Sequence, residues 1–209
     1  INWIADYLNQ ADVDIVVFQE VFTPLLTKKL RKKLIDEYPY QVRSKNKKMT
    51  TRPGDGVLIV SRVPIEEIDH VFYTEGYDHD KLANKGCVMV EGHKNGFPFQ
   101  LTGTHLQSIN HPSAHEVRVT QCRQIREQLL DKHYEKGIPQ FVTGDLNVRK
   151  STPEWYKEVM LILDAKDTPP SDDRQFTFDN NNHWVCQHPE RHDDVFLDYI
   201  LLRENGTKT

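Results

Sequence analysis

The chain has 209 residues, enough for one domain with a sizeable core or for two cramped ones. Apolar residues make up 37% and charged residues 28%, and Gly and Pro are scattered, which excludes collagenous, low-complexity and wholly disordered chains. The net charge is −4, and no apolar run approaches the ~20 residues that span a bilayer, so no transmembrane helix is expected. Between Lys28 and Arg52, ten Lys or Arg face only Asp36 and Glu37, a local excess of +8 that reads as a solvated helix face or an anion-facing surface. Cys87, Cys122 and Cys186 lie far apart with no CxxC pair, which excludes zinc-ribbon and thioredoxin-like chemistry and allows at most one disulfide.

Ile1, Ile4, Ala5 and Leu8 share one face of an opening amphipathic helix with no signal-peptide character, so the chain is read as starting inside a domain. Val13 to Gln19 reads as a strand buried on both faces, with Glu20 at its carboxyl end. Thr23 and Pro24 open a helix with Leu26, Leu30 and Leu34 on its inner stripe. After a polar loop, Val57–Ser61 is a second buried strand that Pro64 ends, and Cys87–Val90 is a third. Asn95-Gly96 is a hairpin turn into a strand over Phe97–His105. Ser113 and Glu116 form a capping box for a helix to about Tyr134, with Val119, Cys122, Ile125 and Leu129 inward. Gln140–Thr143 is the next strand, and Thr152-Pro153 opens a helix to about Leu163. A polar loop over 164–175 precedes strands at Phe176–Phe178 and Phe196–Leu202, with a long loop over 179–194 between them. Strands alternating with helices, plus a hairpin, indicate an α/β domain with mixed sheets.

Several strands end in polar groups: Glu20, His105, the Asp145/Asn147 pair and Asp198. Ligands collect at strand ends in α/β sheets, so these groups can meet on one rim. In an extended Gly144-Asp145-Leu146-Asn147, a side-chain period of two puts Asp145 and Asn147 on one side and Leu146 in the core. A carboxylate beside a carboxamide suits a site that orients water and grips a phosphate oxygen. Glu20 is a hard oxygen ligand of the kind Mg²⁺ prefers, since one or two carboxylates plus substrate phosphate are its usual partners. Each group also has a structural reading. Glu20 can serve the start of the following helix, His105 can be a hydrogen-bonded strand-end residue, and Asp145 and Asn147 are common in turns. A carboxylate at Asp198, within an apolar strand, requires a partner.

The order of these motifs resembles the endonuclease/exonuclease/phosphatase superfamily over nearly the whole chain. The segments that carry it are Gln19-Glu20, Gly56 to Ile65, Asn84-Lys85-Gly86, Gly103 to Gln107, Gly144 to Val148, Phe176 to Asp179 and Leu197 to Ile200. Gln-Glu-Val-Phe at 19–22, Asn-Lys-Gly at 84–86 and Gly-Thr-His-Leu-Gln at 103–107 are most similar to the Mg²⁺-dependent neutral sphingomyelinases of the bacterial type. The resemblance implies a four-layer α/β/β/α sandwich of two packed mixed sheets. It also implies hydrolysis of sphingomyelin to ceramide and phosphocholine at a membrane surface. By the same resemblance Glu20 binds Mg²⁺ or another divalent cation, His105 and Asn147 hold the phosphate, and Asp145 orients or activates water. Asp198 then partners a catalytic histidine, and Lys85 contacts the phosphate or headgroup.

Residues 1–209 are thus expected to form a single catalytic domain that lacks two family pieces: a first strand bearing an Asn, and a Ser-Asp-His segment bearing the general base. The chain alone is therefore expected to be nearly inactive. An apurinic- or deoxyribonuclease-type endonuclease fits Gly144 to Val148 and Leu197 to Tyr199 as well, with nucleic acid as partner. An inositol polyphosphate 5-phosphatase fits less well, because its Trp-Cys-Asp-Arg signature reads Phe-Leu-Asp-Tyr at 196–199. A non-catalytic lipid- or partner-binding relative is the remaining reading. Bacterial sphingomyelinases are generally secreted, so an extracellular location is expected.

Overall fold

In the computed structural model, which describes residues 1–43, 54–168, 170, 176–181 and 194–206, alternation along residues 57–60 sets the layering. Val57 and Ile59 pack on Val88, Val90, Phe99 and Leu101, while Leu58 and Val60 pack on Ala5, Leu30, Leu34 and Tyr38. A strand of period two that is apolar at every position must be covered on both faces. One cover is a second sheet and the other is helical, so two of the four layers follow from these four residues.

The first sheet joins β1 (Ile15–Phe18), β3 (Leu58–Ser61) and β2 (Tyr40–Arg43) in the order β1-β3-β2, antiparallel throughout. Helices α1 (Asn2–Leu8) and α2 (Pro24–Leu34) supply the buried residues on its outer face. The second sheet has the order β4-β5-β6-β7-β9-β8. Its strands are β4 (Ile65–Phe72), β5 (Gly86–Lys94), β6 (Phe97–His105), β7 (Gln140–Asp145), β8 (Lys166–Asp167) and β9 (Asp198–Arg203). Its pairs are antiparallel except β6 with β7, so only this sheet is mixed. Helices α3 (Pro112–Ile125) and α4 (Pro153–Leu163) bury Cys122, Ile125, Val159 and Leu163 against Cys87, Met89, Val142 and Leu201. The result is the four-layer α/β/β/α sandwich. Ile59, fully enclosed between the sheets, is a site where truncation to Ala costs about 2–5 kcal/mol.

Local differences from the sequence reading have identifiable causes. β1 is half-buried rather than enclosed, because among the described residues it pairs only with β3 and forms a sheet edge. Ile4 of α1 is 40% exposed, leaving Ala5 as that helix's buried residue. β2 and β4 escape a hydrophobic-pattern reading because Tyr40–Arg43 and Ile65–Phe72 are interspersed with polar side chains. His111, not Ser113, caps α3: its Nδ1 accepts from the Ser113 amide at 3.2 Å, and Pro112 fills the first turn. The expected inner stripe holds, but the α-helix ends at Ile125 and continues only as a π-turn over Arg126–Leu130. Phe176–Phe178 contributes a single bridge, Phe178 to Val195, instead of a strand. The loop expected over 164–175 contains β8. Cys87 and Cys122 are free and buried. Cys186, residues 44–53 of the basic stretch and residues 182–193 of the long loop lie outside the described residues. No described helix is long and apolar enough to cross a membrane.

Candidate active site

The register of three strands assembles the site. β6 and β7 run parallel with His105 opposite Asp145, and β9 returns antiparallel with Asp198 opposite Asp145. Gly144 makes the close approach possible: at φ +137° an added Cβ would fall 2.0 Å from the Thr104 carbonyl oxygen. Glu20 enters from the first sheet, two residues past β1, with its backbone in the left-handed region at φ 59°. Gly56 lies against it, and a Cβ there would meet the Phe22 ring at 2.8 Å.

Glu20, Lys85, His105, Asp145 and Asn147 line one open cavity of about 900 Å³, together with Asp80, Ser108 and Arg149. Asp198 is not in the lining and stands behind Asp145 on the neighbouring strand. Among the described residues its side chain has no histidine partner, and its backbone amide donates to Thr177 Oγ1 at 3.1 Å. The helix-start reading of Glu20 gives way, because Thr23 caps α2 itself through the Leu26 amide at 3.3 Å. The reading of residues 144–147 needs one correction. Asp145 and Asn147 do share the cavity and Leu146 is fully buried, but β7 ends at Asp145. Asn147 is left-handed at φ 52°, with its amide donating to Asp145 Oδ1 at 2.8 Å, so a turn closed by the aspartate brings the two together.

Polar wiring around the cavity runs through groups that no side-chain motif announces. The Leu106 carbonyl accepts from Lys85 Nζ at 3.0 Å and from Asn147 Nδ2 at 3.2 Å, holding the cation and the carboxamide side by side. Lys85 Nζ also donates to Asp80 Oδ2 at 2.8 Å and lies 3.4 Å from His105 Nε2. His105 Nε2 is 3.7 Å from Asp145 Oδ2, and its Nδ1 is enclosed without a hydrogen-bond partner. With Lys85 donating to Nε2, the neutral ring carries its proton on Nδ1. Asp80 sits in a charged segment that reads as ordinary surface in the sequence, and an acid five residues before Lys85 is its only local signal.

Electrostatics in the cavity are unbalanced. Burial first and the Asp198 charge second push the Asp145 carboxyl up to about 7, against the Asn147 amide and Lys85. Burial also raises Asp198, opposed by Thr177. Burial and then Lys85 hold His105 down at about 3, so the imidazole is neutral at pH 7. Lys85 is itself lowered by burial, although Asp80 pulls it back. For Asp80 burial acts upward, but Lys85 and Ser108 outweigh it and its carboxyl lies below the usual range.

Carboxylates crowded into a concave site with a raised pKa are what a bound cation relieves. Among the described residues no three His, Cys, Asp or Glu side chains form a metal cage. Asp80 is held by Lys85 and Ser108, which leaves Glu20 as the cavity carboxylate outside the Asp145/Asp198 pair, and one carboxylate completed by water and substrate phosphate fits Mg²⁺.

The family model described as Endonuclease/Exonuclease/phosphatase family matches residues 1–208. The chain is 33% identical over 218 residues to sphingomyelinase C 2 of Leptospira interrogans, which covers 96% of the chain and 34% of that protein. It superposes on a Staphylococcus aureus beta toxin structure with a TM-score of 0.85 at 28% identity, covering 98% of this chain and 78% of that one. A beta toxin variant from the same organism, solved with bound magnesium ions, gives a TM-score of 0.82 at 26% identity, covering 98% and 77%. The chain spans between about a third and two thirds of the length of the curated relatives it matches.

Proposed function

The chain belongs to the Endonuclease/Exonuclease/phosphatase family, and on that premise we propose that the protein hydrolyses sphingomyelin to ceramide and phosphocholine by in-line attack of water on phosphorus. The observation that carries this reading is the meeting of Glu20, Lys85, His105, Asp145 and Asn147 in one cavity. The likeness to sphingomyelinases supports the lipid substrate over a nucleic acid or an inositol phosphate.

In this reading Glu20 holds a divalent cation, Mg²⁺ foremost, for which the magnesium-bound relative is a precedent. When bound, the ion polarises a phosphoryl oxygen and offsets its developing charge. Lys85 supplies a fixed positive charge that its bonds to Asp80 and the Leu106 carbonyl keep in place. His105, neutral and buried, lines the phosphate's side of the cavity through Nε2 without adding a second cation beside Lys85. Asn147 spends one amide hydrogen on Leu106 and keeps the other for substrate. Asp145 orients the attacking water, and its raised pKa suits proton transfer near neutrality. Asp198 orients a histidine base that the family resemblance places after Leu202. The attacking water gives a proton to the base as its oxygen bonds phosphorus, and the ceramide oxygen takes one from solvent as its own P–O bond breaks. A beta toxin among the structural relatives supports an extracellular site of action.

The test is hydrolysis by the full-length protein of sphingomyelin vesicles and abasic duplex DNA, each with Mg²⁺ and with chelator. Metal-dependent phosphocholine release with intact DNA is expected. DNA cleavage without phosphocholine would transfer the site to a nuclease, and silence on both would favour a non-catalytic relative.

A further inference from the structure

Behind the cavity wall lies an arginine that none of the assigned roles uses. Arg118, on α3, is fully buried, the largest side chain among the described residues to be so. A buried guanidinium needs acceptors, and here Nη1 alone finds them, in main-chain oxygens, while Nε and Nη2 are enclosed without a partner. Its Nη1 donates to the carbonyls of Gln107 at 2.9 Å, Ser108 at 3.3 Å and Ile109 at 2.9 Å. Its Cζ lies 5.7 Å from the centre of the Trp155 ring. One turn of α3 further on, Gln121 Oε1 accepts the Gln107 amide at 2.8 Å.

The turn held in this way is strained and borders the substrate space. Ile109 is left-handed at φ 70°, a conformation that β-branched residues avoid. Ser108 and Ile109 both line the cavity. Within the turn, the Ser108 amide and hydroxyl donate to Asp80 Oδ2 at 2.8 and 3.0 Å, and that same oxygen accepts from Lys85. A continuous path therefore runs from Arg118 through the turn to Asp80, Lys85 and His105.

We propose that Arg118, assisted by Gln121, is a positioning residue of the active site. By gathering the carbonyls of 107–109 it holds the Ile109 backbone in its strained form, keeps Ser108 on Asp80, and so fixes Lys85 beside His105 and the phosphate. Lysine keeps the charge, but its side chain is one atom shorter and its ammonium falls short of the point where Nη1 meets the three carbonyls. The inference rests on the phosphodiesterase reading for its catalytic consequence and on the geometry alone for the structural one.

The test is a double-mutant cycle in the full-length protein with Arg118→Lys and Ser108→Ala, assayed on sphingomyelin vesicles at saturating Mg²⁺ and accompanied by amide hydrogen exchange. Arg118→Lys is expected to lower kcat by about 10²-fold, a loss of alignment, and Ser108→Ala, which keeps the amide bond to Asp80, by about 10-fold. The double variant should be little worse than the poorer single, because both break one path. The Ser108 amide should exchange faster in Arg118→Lys while the amides of α3 stay protected. Multiplying effects on kcat, or unchanged exchange at Ser108, would overturn the inference. A lower Tm at wild-type kcat would reduce Arg118 to packing and would overturn it too. If Arg118→Lys does not fold, Gln121→Met releases the same turn, and a wild-type kcat in that variant would overturn the clamp. If wild type releases no phosphocholine, the substrate reading fails, and the exchange measurement still decides the inference.

Discussion

Strands β7 and β9 carry opposite electrostatic designs at their two ends. At one end Gln140 faces Arg203, and at the other Asp145 faces Asp198. Arg203 donates to Asp131 at 2.7 Å, to Asp164 at 3.3 Å and to Gln140 Oε1 at 3.1 Å, and Arg126 adds a second bond to Asp131 at 2.7 Å. Gln140 Nε2 donates to Gln100 and to the Leu130 carbonyl. Five residues along the same pair, two carboxylates face each other with raised pKa values, beside a histidine whose Nδ1 has no partner. One end pairs opposite charges, and the other sets like charges together beside a cavity. The difference teaches where this fold trades stability for chemistry, as functional sites do.

Substitutions that act on one end only break or sharpen this contrast. Asp145→Asn has the largest expected effect: turnover falls about 10²–10⁴-fold, and phosphocholine release measured at saturating Mg²⁺ checks it. Glu20→Gln comes next, raising the Mg²⁺ concentration for half-maximal activity by about 10–100-fold with the fold kept, as read from a metal titration of the rate. Arg203→Met should do the reverse of both, leaving kcat/KM unchanged and lowering stability by about 2 kcal/mol in denaturant unfolding. The loss stays modest because Asp131 and Asp164 are 44% and 61% exposed and regain water.

Much of both ends could be read from residue patterns, for reasons that also mark the limits. Buried strands such as Leu58–Ser61 announce themselves by unbroken apolar runs, and Glu20, His105, Asp145 and Asn147 stand out as polar groups at strand ends. Edge strands do not, because a half-solvated surface admits the charges of Ile65–Phe72. Asp80 and Arg118 stayed hidden for different reasons: one lies in a charged surface-like segment, and the other reads as a polar position on an amphipathic helix. The Leu106 carbonyl has no signature at all, since every residue carries one. An extended backbone over 144–147 predicts Asn147 beside Asp145, and the structure brings the two together through a turn instead.

The Asp145 end is held together against its own charge. Its carboxyl is raised to about 7 from the ordinary 3.8, so the folded state binds the proton more tightly between those limits. Stability contributed by that proton is present in acid and lost as pH rises from about 4 to 7. Asparagine keeps the acceptor for the Asn147 amide and carries no charge, so Asp145→Asn escapes the loss. The direct measurement is urea unfolding of wild type and Asp145→Asn in the metal-free full-length protein at pH 4 and pH 8. Near-equal stabilities are expected at pH 4, and at pH 8 a variant more stable by about 4 kcal/mol, a gap that Mg²⁺ narrows. A variant less stable than wild type at pH 8 would contradict this expectation.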